Sequence, residues 1–254
     1  MSNYQHLKNV FKEKYNLLSI IGPTASGKTS FAANLAYYLD AEIISADSRQ
    51  VYKDMNLGTG KDYLDYCVEN VDIPFHLIDI VDAGEKYNLF NYVQDFFTEY
   101  QNIVQRDKLP ILCGGTGLYA EAIIRNFDIR PVPPNEQLRK ELENKTLDEL
   151  TQILFNLKKL HNKTDIDTKK RAIRAIEIEL YYKNNPSQKP NYPNINSLNI
   201  GLKYDREFQK QKITARLKQR MNEGMIDEVK GLMNKGVSSE DRKSTRLNSS
   251  HESP

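Results

Sequence analysis

Two hydrophobic rhythms divide this chain. Leu17, Leu18, Ile20 and Ile21 make a short apolar run, and Phe31, Leu35, Tyr38 and Leu39 follow it at helical spacing. Residues 42–46 predict a second short strand, 76–80 a third, and 110–113 a buried one, with a helix over 91–106 carried by Tyr92, Phe96, Tyr100, Ile103 and Val104. Residues 62–75 read as an excursion with few apolar anchors. From about residue 131 the strand signal stops. Three helical patterns replace it, over 135–144, 147–159 and 168–183, before a Pro/Asn-rich linker at 183–197. Residues 198–202 predict a strand returning to the sheet. Helical patterns over 206–223 and 226–235 follow, the last ending at Gly236 as a C-terminal cap.

The first strand and first helix are joined by Gly22, Pro23, Thr24, Ala25, Ser26, Gly27, Lys28 and Thr29, which fit the phosphate-loop pattern G-x-x-x-x-G-K-[ST] in the strand–loop–helix context it needs. Glycines let successive N–H groups turn inward around a phosphate, and the helix N-terminus adds the positive end of its dipole. Lys28 supplies a point charge for terminal phosphates and Thr29 a hydroxyl for Mg²⁺. The loop alone implies a bound di- or triphosphate and leaves its fate open. The fold class that follows is α/β: a P-loop parallel sheet flanked by helices, with an inserted all-helical domain. Residues 1–130 plus 198–240 form the core, 131–197 the insertion, and 241–254 a tail.

Other chemistry gathers at the carboxyl edge of the predicted sheet, where ligands of open parallel sheets bind. Asp47 ends the second strand and is followed by Ser48, Arg49 and Gln50. Its carboxylate reads as a metal ligand, a general base or the N-cap of a following turn. A second Gly-rich turn, Gly114-Gly115-Thr116-Gly117, aims N–H groups and a hydroxyl at the same edge. Asp79, ending an apolar run, has the look of a Walker-B aspartate. On a helical wheel Lys170, Arg171 and Arg174 share one narrow sector and Ile173, Ile176 and Leu180 lie nearly opposite. That pattern suits phosphate or RNA-backbone contact, or a merely solvated face. Arg216 and Arg220 stand one turn apart on a later helix.

Composition narrows the class. With 254 residues, 39% hydrophobic and 28% charged, the chain is ordinary for a globular protein with an insertion. No apolar run approaches a membrane span, and the polar first residues lack a signal-peptide core. Cys67 and Cys113 are the only cysteines, which points to a reducing compartment and a cytoplasmic location. A net charge of +2 requires any nucleic-acid affinity to come from a local patch.

Taken together, GPTASGKT, ADSRQVYKDMNLGTGK, HLIDI, GGTGLY, KKRAIRAIEI, GLKYDRE and MNEGMIDEVK resemble the bacterial tRNA dimethylallyltransferase (tRNA isopentenyltransferase) family from about residue 17 to about 236. The resemblance implies a P-loop domain with a tRNA-binding helical insertion, acting as a monomer. It implies that the loop, Gly22 and Thr24 to Thr29, holds dimethylallyl diphosphate with Mg²⁺ on Thr29. The dimethylallyl group passes to the exocyclic amine of adenine 37, next to the anticodon. Asp47 is then the general base, with Lys28 and Arg216 neutralising the leaving diphosphate. Asp47, Ser48, Arg49, Gln50 and Thr116 meet the target nucleotide. Arg139 and the segment Lys170, Arg171, Ala172, Ile173, Arg174 contact the tRNA anticodon stem-loop. The alternative is a P-loop small-molecule or nucleotide kinase with the insertion as a lid. The family pattern continues with further helices where residues 241–254 have neither periodicity nor apolar content. That tail is expected to be disordered and non-native, the natural C-terminus being absent.

Overall fold

The computed structural model describes residues 2–158, 164–186 and 190–237. The expected tail at 241–254 lies outside them. The described residues form two compact units: one takes in residues 2–87, 91–127 and 192–237, the other 88–90 and 128–191.

In the first unit, helix α1 (Ser2–Lys14) precedes strand β1 (Leu17–Ile21), helix α2 (Lys28–Leu39) and strand β2 (Ala41–Ser45). After a 3₁₀ turn (Tyr63–Tyr66) come β3 (Cys67–Val68), β4 (Val71–Asp72) and β5 (Phe75–His76). Helix α3 (Leu89–Gln105), strand β6 (Leu109–Gly114) and helix α4 (Gly117–Ile124) follow. The main sheet is parallel, in the order β5-β2-β6-β1-β7, where β7 is Ser197–Gly201. β2 and β6 are buried along their whole length, as expected of strands covered on both faces. Leu18, Ile20, Ile43, Ile111 and the small residues Ala32, Ala33 and Ala36 of α2 share one core, the alanines letting the helix lie close to the sheet.

Connectivity fixes where a ligand can sit. β1 leads through α2 to β2 on one side of β6, whereas β7, reached later in the chain, lies on the other side of β1. The chain therefore leaves β1 and β6 in opposite directions, and the crevice between their carboxyl ends is the switch point at which open α/β sheets bind ligands.

The second unit holds helices α5 (Glu136–Glu143), α6 (Leu147–Leu157) and α7 (Lys169–Asn184). Caps set their starts. Asn135 accepts from the Leu138 N–H, Thr146 and Glu149 form a reciprocal capping box, and Thr168 caps α7. Leu142, Leu150, Leu154, Ala172, Ala175 and Ile176 form its core. The first unit closes with α8 (Arg206–Asn222), capped by Asp205, and α9 (Met225–Asn234), after which Gly236 adopts φ +85°.

Two expectations are corrected, and one segment gains a structure that sequence reading did not assign. The strand predicted over 76–80 is only Phe75–His76 in the sheet, because Leu77 and Asp79 take left-handed φ of +62° and +56° and end the extended run. The excursion at 62–75 is anchored: Tyr66, Val68 and Ile73 are buried in the sheet core, and β3 and β4 pair as a small antiparallel hairpin. The polar N-terminal segment, read only as lacking a leader, is a helix whose Lys8 is buried and pairs with Asp40. Among the described residues no helix is long and apolar enough to cross a membrane.

Candidate active site at the carboxyl edge of the sheet

The loop after β1 turns by means of two left-handed residues, Ala25 (φ +61°) and Gly27 (φ +73°). Gly27 is the N-cap of α2 and offers no side chain to the helix, so no side-chain cap consumes the first-turn N–H groups. That is the geometry of an anion cradle. Lys28 reaches back over it, its Nζ donating to the Pro23 carbonyl at 2.7 Å. Burial lowers the Lys28 pKa from the ordinary lysine value. Cys113 and Asp47 act in the opposite direction, and Arg216 adds to the lowering. A partly desolvated ammonium satisfied by one carbonyl is poised for an anion. Ser26 Oγ is buried with no hydrogen-bond partner among the described residues. An orphaned hydroxyl inside the loop is what a bound phosphate oxygen would satisfy.

The second Gly-rich turn closes over the first. A Cβ at Gly115 would stand 3.5 Å from both the Gly22 carbonyl and Lys28 Nζ, and one at Gly114 would stand 2.2 Å from the Ala46 carbonyl. The chain between β6 and α4 thus runs directly over the end of β2, a passage only glycine permits. Thr116 is the N-cap of α4 yet makes no capping bond with its side chain. Its hydroxyl instead accepts the Ser48 N–H at 3.0 Å and donates to Ser48 Oγ at 3.2 Å, while its own N–H donates to the Ala46 carbonyl at 3.1 Å. These bonds tie the turn that carries Asp47 to the mouth of the cradle.

Asp47 is half-buried. Its Oδ1 accepts the Arg49 N–H at 2.9 Å, so the cap reading is realised as an Asx turn. Among the described residues no donor reaches Oδ2, which leaves that oxygen free to accept a proton or hold a cation. Cys113 lies in the same electrostatic group, its thiol pushed up to about 12 by burial, and so behaves as an inert lining. Thr29 sits in the first turn of α2 and is hydrogen-bonded to the phenol of buried Tyr66. The next residue, Ser30, donates to Asp65 at 2.9 Å.

The rim opposite is built by α8 and α9. Arg216 donates to the Asp62 carboxylate and, at 3.4 Å, to the Gly60 carbonyl, which also accepts from Gln50 Nε2 at 3.0 Å. Arg220 pairs with Asp62 at 3.3 Å and lies against Gly60, which has φ +80°. Gln209 reaches the Thr24 carbonyl at 3.4 Å. Asp79, the Walker-B candidate, is committed elsewhere: Lys61, with a fully buried side chain, and Tyr63 both donate to it. Asp62, Gln209 and Glu228 had no local signature that sequence reasoning could use, because each acts across more than a hundred residues. Arg220 was legible as one turn from Arg216, but its partner Asp62 was not.

Within the helical unit, the cationic stretch is more committed than its wheel implied. Glu177 is 2% exposed and accepts from Arg139 at 3.0 and 2.9 Å, from Arg174, and from the Asn135 N–H. Arg174 also donates to the Val132 carbonyl at 2.9 Å, and Arg171 pairs with Asp167 at 2.8 Å. Lys170 is exposed. Ala172, expected at an RNA-facing surface, is fully buried, and Ile173 is half-buried in the core, so both side chains support the helix from within.

A parallel sheet with a phosphate loop at its switch point, Asp47 just past the end of β2 and a second Gly-rich turn over both defines a P-loop α/β protein. Family models narrow this. IPP transferase matches residues 50–250 and isopentenyl transferase residues 15–71. A tRNA dimethylallyltransferase 2 of Phocaeicola vulgatus is 57% identical over 229 residues, covering 90% of this chain and 75% of that protein. A protein of the same name from Bacteroides fragilis is 56% identical over 227 residues, covering 89% and 74%. The crystal structure of the tRNA isopentenylpyrophosphate transferase of Bacillus halodurans superposes with a TM-score of 0.60 at 34% identity, covering 89% of this chain and 72% of that one. The chain belongs to the IPP transferase family.

Proposed function

We infer that this chain transfers a dimethylallyl group from dimethylallyl diphosphate to the exocyclic amine of adenine 37 of tRNA. The observation that carries the reading is the convergence of the open amide cradle, Lys28 and the free oxygen of Asp47 at one switch point. The kinase reading that the motif alone allows is not favoured, since relatives more than half identical to this chain over the aligned residues are named tRNA dimethylallyltransferases.

In the reaction the C–O bond between the allylic carbon and the diphosphate breaks, and a C–N bond to the adenine amine forms. The amine proton passes to Asp47 Oδ2, a general-base contribution of about 10²–10⁴-fold. The loop amides, Ser26 Oγ and Lys28 receive the charge that grows on the leaving diphosphate. Arg216 reaches it by releasing Asp62. Thr116 and Ser48 hold Asp47's turn in place for the incoming base, which must leave its stack at a cost of a few kcal/mol.

The residues present fit Mg²⁺. The Thr29 hydroxyl stands at the first turn of α2, and one protein oxygen suits an ion which keeps most of its waters and shares substrate phosphates, Asp47 Oδ2 being kept for the proton. When bound, Mg²⁺ neutralises diphosphate charge. Exposed Lys170, with Arg171 and Arg139 at the edge of their ion pairs, supplies the tRNA-backbone contacts. A tRNA substrate supports a cytoplasmic location.

Incubation of the chain with dimethylallyl diphosphate, Mg²⁺ and unmodified tRNA, followed by nucleoside mass analysis, should yield dimethylallyl-adenosine. ATP turnover without any adduct would overturn the assignment.

A further inference from the structure

The loop at 54–62, whose Gly60 and Asp62 already hold Arg216, is also gripped from α9, about 170 residues away in the chain. The carboxylate of Glu228 accepts three consecutive backbone N–H groups: Asn56 at 2.9 Å, Leu57 at 2.8 Å and Gly58 at 2.9 Å. Three converging amides form an anion nest, and here a side chain of the protein fills it. Gly58 makes room for it, since a Cβ there would stand 3.3 Å from Glu228 Oε1. Asn56 and Gly58 are exposed, so little else shields these amides. Lys235, at the end of the same helix, adds a 2.7 Å pair to Asp54.

The grip is transmitted inward through backbone. The Asn56 carbonyl accepts the N–H groups of Gly60 at 2.9 Å and Lys61 at 3.0 Å. The Gly60 carbonyl in turn accepts from Gln50, three residues from Asp47. A shift of Asn56 therefore moves Gly60, then Gln50, then the turn that presents the base. The cradle after β1 has no part in this chain of bonds.

We propose that Glu228 is a positioning residue for the acceptor side of the site: by filling the amide nest at Asn56–Gly58 it sets the loop that orients Gln50 and the Asp47 turn. The role rests on the transferase reading above. Glu228→Ala removes all three acceptors. Glu228→Gln keeps the shape but turns an NH₂ toward a backbone donor, and Glu228→Asp keeps the charge on a shorter arm.

The test combines two measurements on the full chain. Hydrogen exchange read by NMR should find the Asn56, Leu57 and Gly58 amides protected in the parent protein, faster in Glu228→Gln and fastest in Glu228→Ala. This outcome holds whatever the reaction is. Steady-state kinetics should then show kcat/KM for tRNA falling ~10- to 100-fold in Glu228→Ala, the scale of misplaced reacting groups, with Glu228→Asp recovering more of it than Glu228→Gln. The Kd of a non-hydrolysable dimethylallyl diphosphate analogue should change less than kcat/KM for tRNA does, because the cradle amides lie outside this chain of bonds and the loop meets the donor side through Arg216 at Gly60 and Asp62. Unprotected amides in the parent protein overturn the nest itself. Protected amides with unchanged tRNA kinetics, or with equal losses for donor and tRNA, overturn the positioning role. A parent protein that prenylates no tRNA overturns the transferase reading and leaves the exchange result standing.

Discussion

Lys28 in the loop after β1 and Arg174 in the helical unit are both partly buried cations, and they are used in opposite ways. Lys28 has a carbonyl for a partner, and burial works against its charge. Arg174 and Arg139 converge on a buried carboxylate, Glu177, whose pKa is lowered although burial, the largest influence, pushes it up. Arg139, the Asn135 N–H and Arg174 together outweigh that push. A cation held only by a carbonyl next to open amides suits the binding role proposed for Lys28. Cations matched to a buried carboxylate are part of the fold first, and whatever they lend to a partner is secondary. Positive side chains read from a sequence look alike in both places.

The sharpest way to break this contrast is Asp47→Asn, which keeps shape and removes the base. Single-turnover prenyl transfer should fall by about 10²–10⁴-fold while tRNA binding, measured by filter retention, stays near the parent value. Wild-type turnover would remove Asp47 from the reaction. Next comes Glu177→Ala. Leaving Arg139 and Arg174 without their shared carboxylate should cost about 3–5 kcal/mol in the helical unit, seen as a lower melting temperature with donor-analogue affinity preserved. The same carboxylate predicts a pH dependence. Its folded pKa lies below the unfolded value of about 4.3, so its stabilisation is complete above that value and is lost as pH falls through the folded pKa. An acid titration of the parent protein should show this loss of stability below about pH 4, and Glu177→Gln should show a smaller one, since Glu42 and other paired carboxylates still contribute.

Lys28→Ala should lower the transfer rate by about 10²–10³-fold, the scale for losing one preorganised donor to a developing anion. Unlike Glu177→Ala, it should leave the melting temperature unchanged or slightly raised, since a desolvated charge has been removed. A large drop in stability would mean that Lys28 is structural and dissolve the comparison. The smallest effect belongs to exposed Lys170. Its replacement by Ala should weaken tRNA binding modestly and reduce the salt slope of log K by about one. An unchanged slope would make Lys170 a solvated surface charge.

Much of this architecture could be read along the chain. The phosphate loop, the fully buried β6 and the helices α5 to α7 are short-range patterns, and they appear where the motif and the periodicity put them. The pattern failed where backbone chirality or distant packing intervened. Leu77 and Asp79 continue an apolar run in composition but turn left-handed, which ends β5 early. Residues 62–75 looked unanchored because Tyr66, Val68 and Ile73 find their partners on distant strands. The wheel for α7 grouped Lys170, Arg171 and Arg174 correctly by angle but gave no hint of Glu177 on the same helix collecting the arginines.

The sequence by itself determined the phosphate cradle, since a left-handed glycine, a lysine and a helix start are local requirements that eight residues satisfy. It also determined the parallel α/β rhythm and the helical insertion, because period and caps are carried within single elements. Only the tertiary structure decided which carboxylates are free and which are spent. Asp79 is bound by Lys61 and Tyr63, Asp62 by Arg216 and Arg220, and Glu228 by three amides, while Asp47 keeps one oxygen open. Availability is set by neighbours brought together across the chain, and no local pattern encodes those distances.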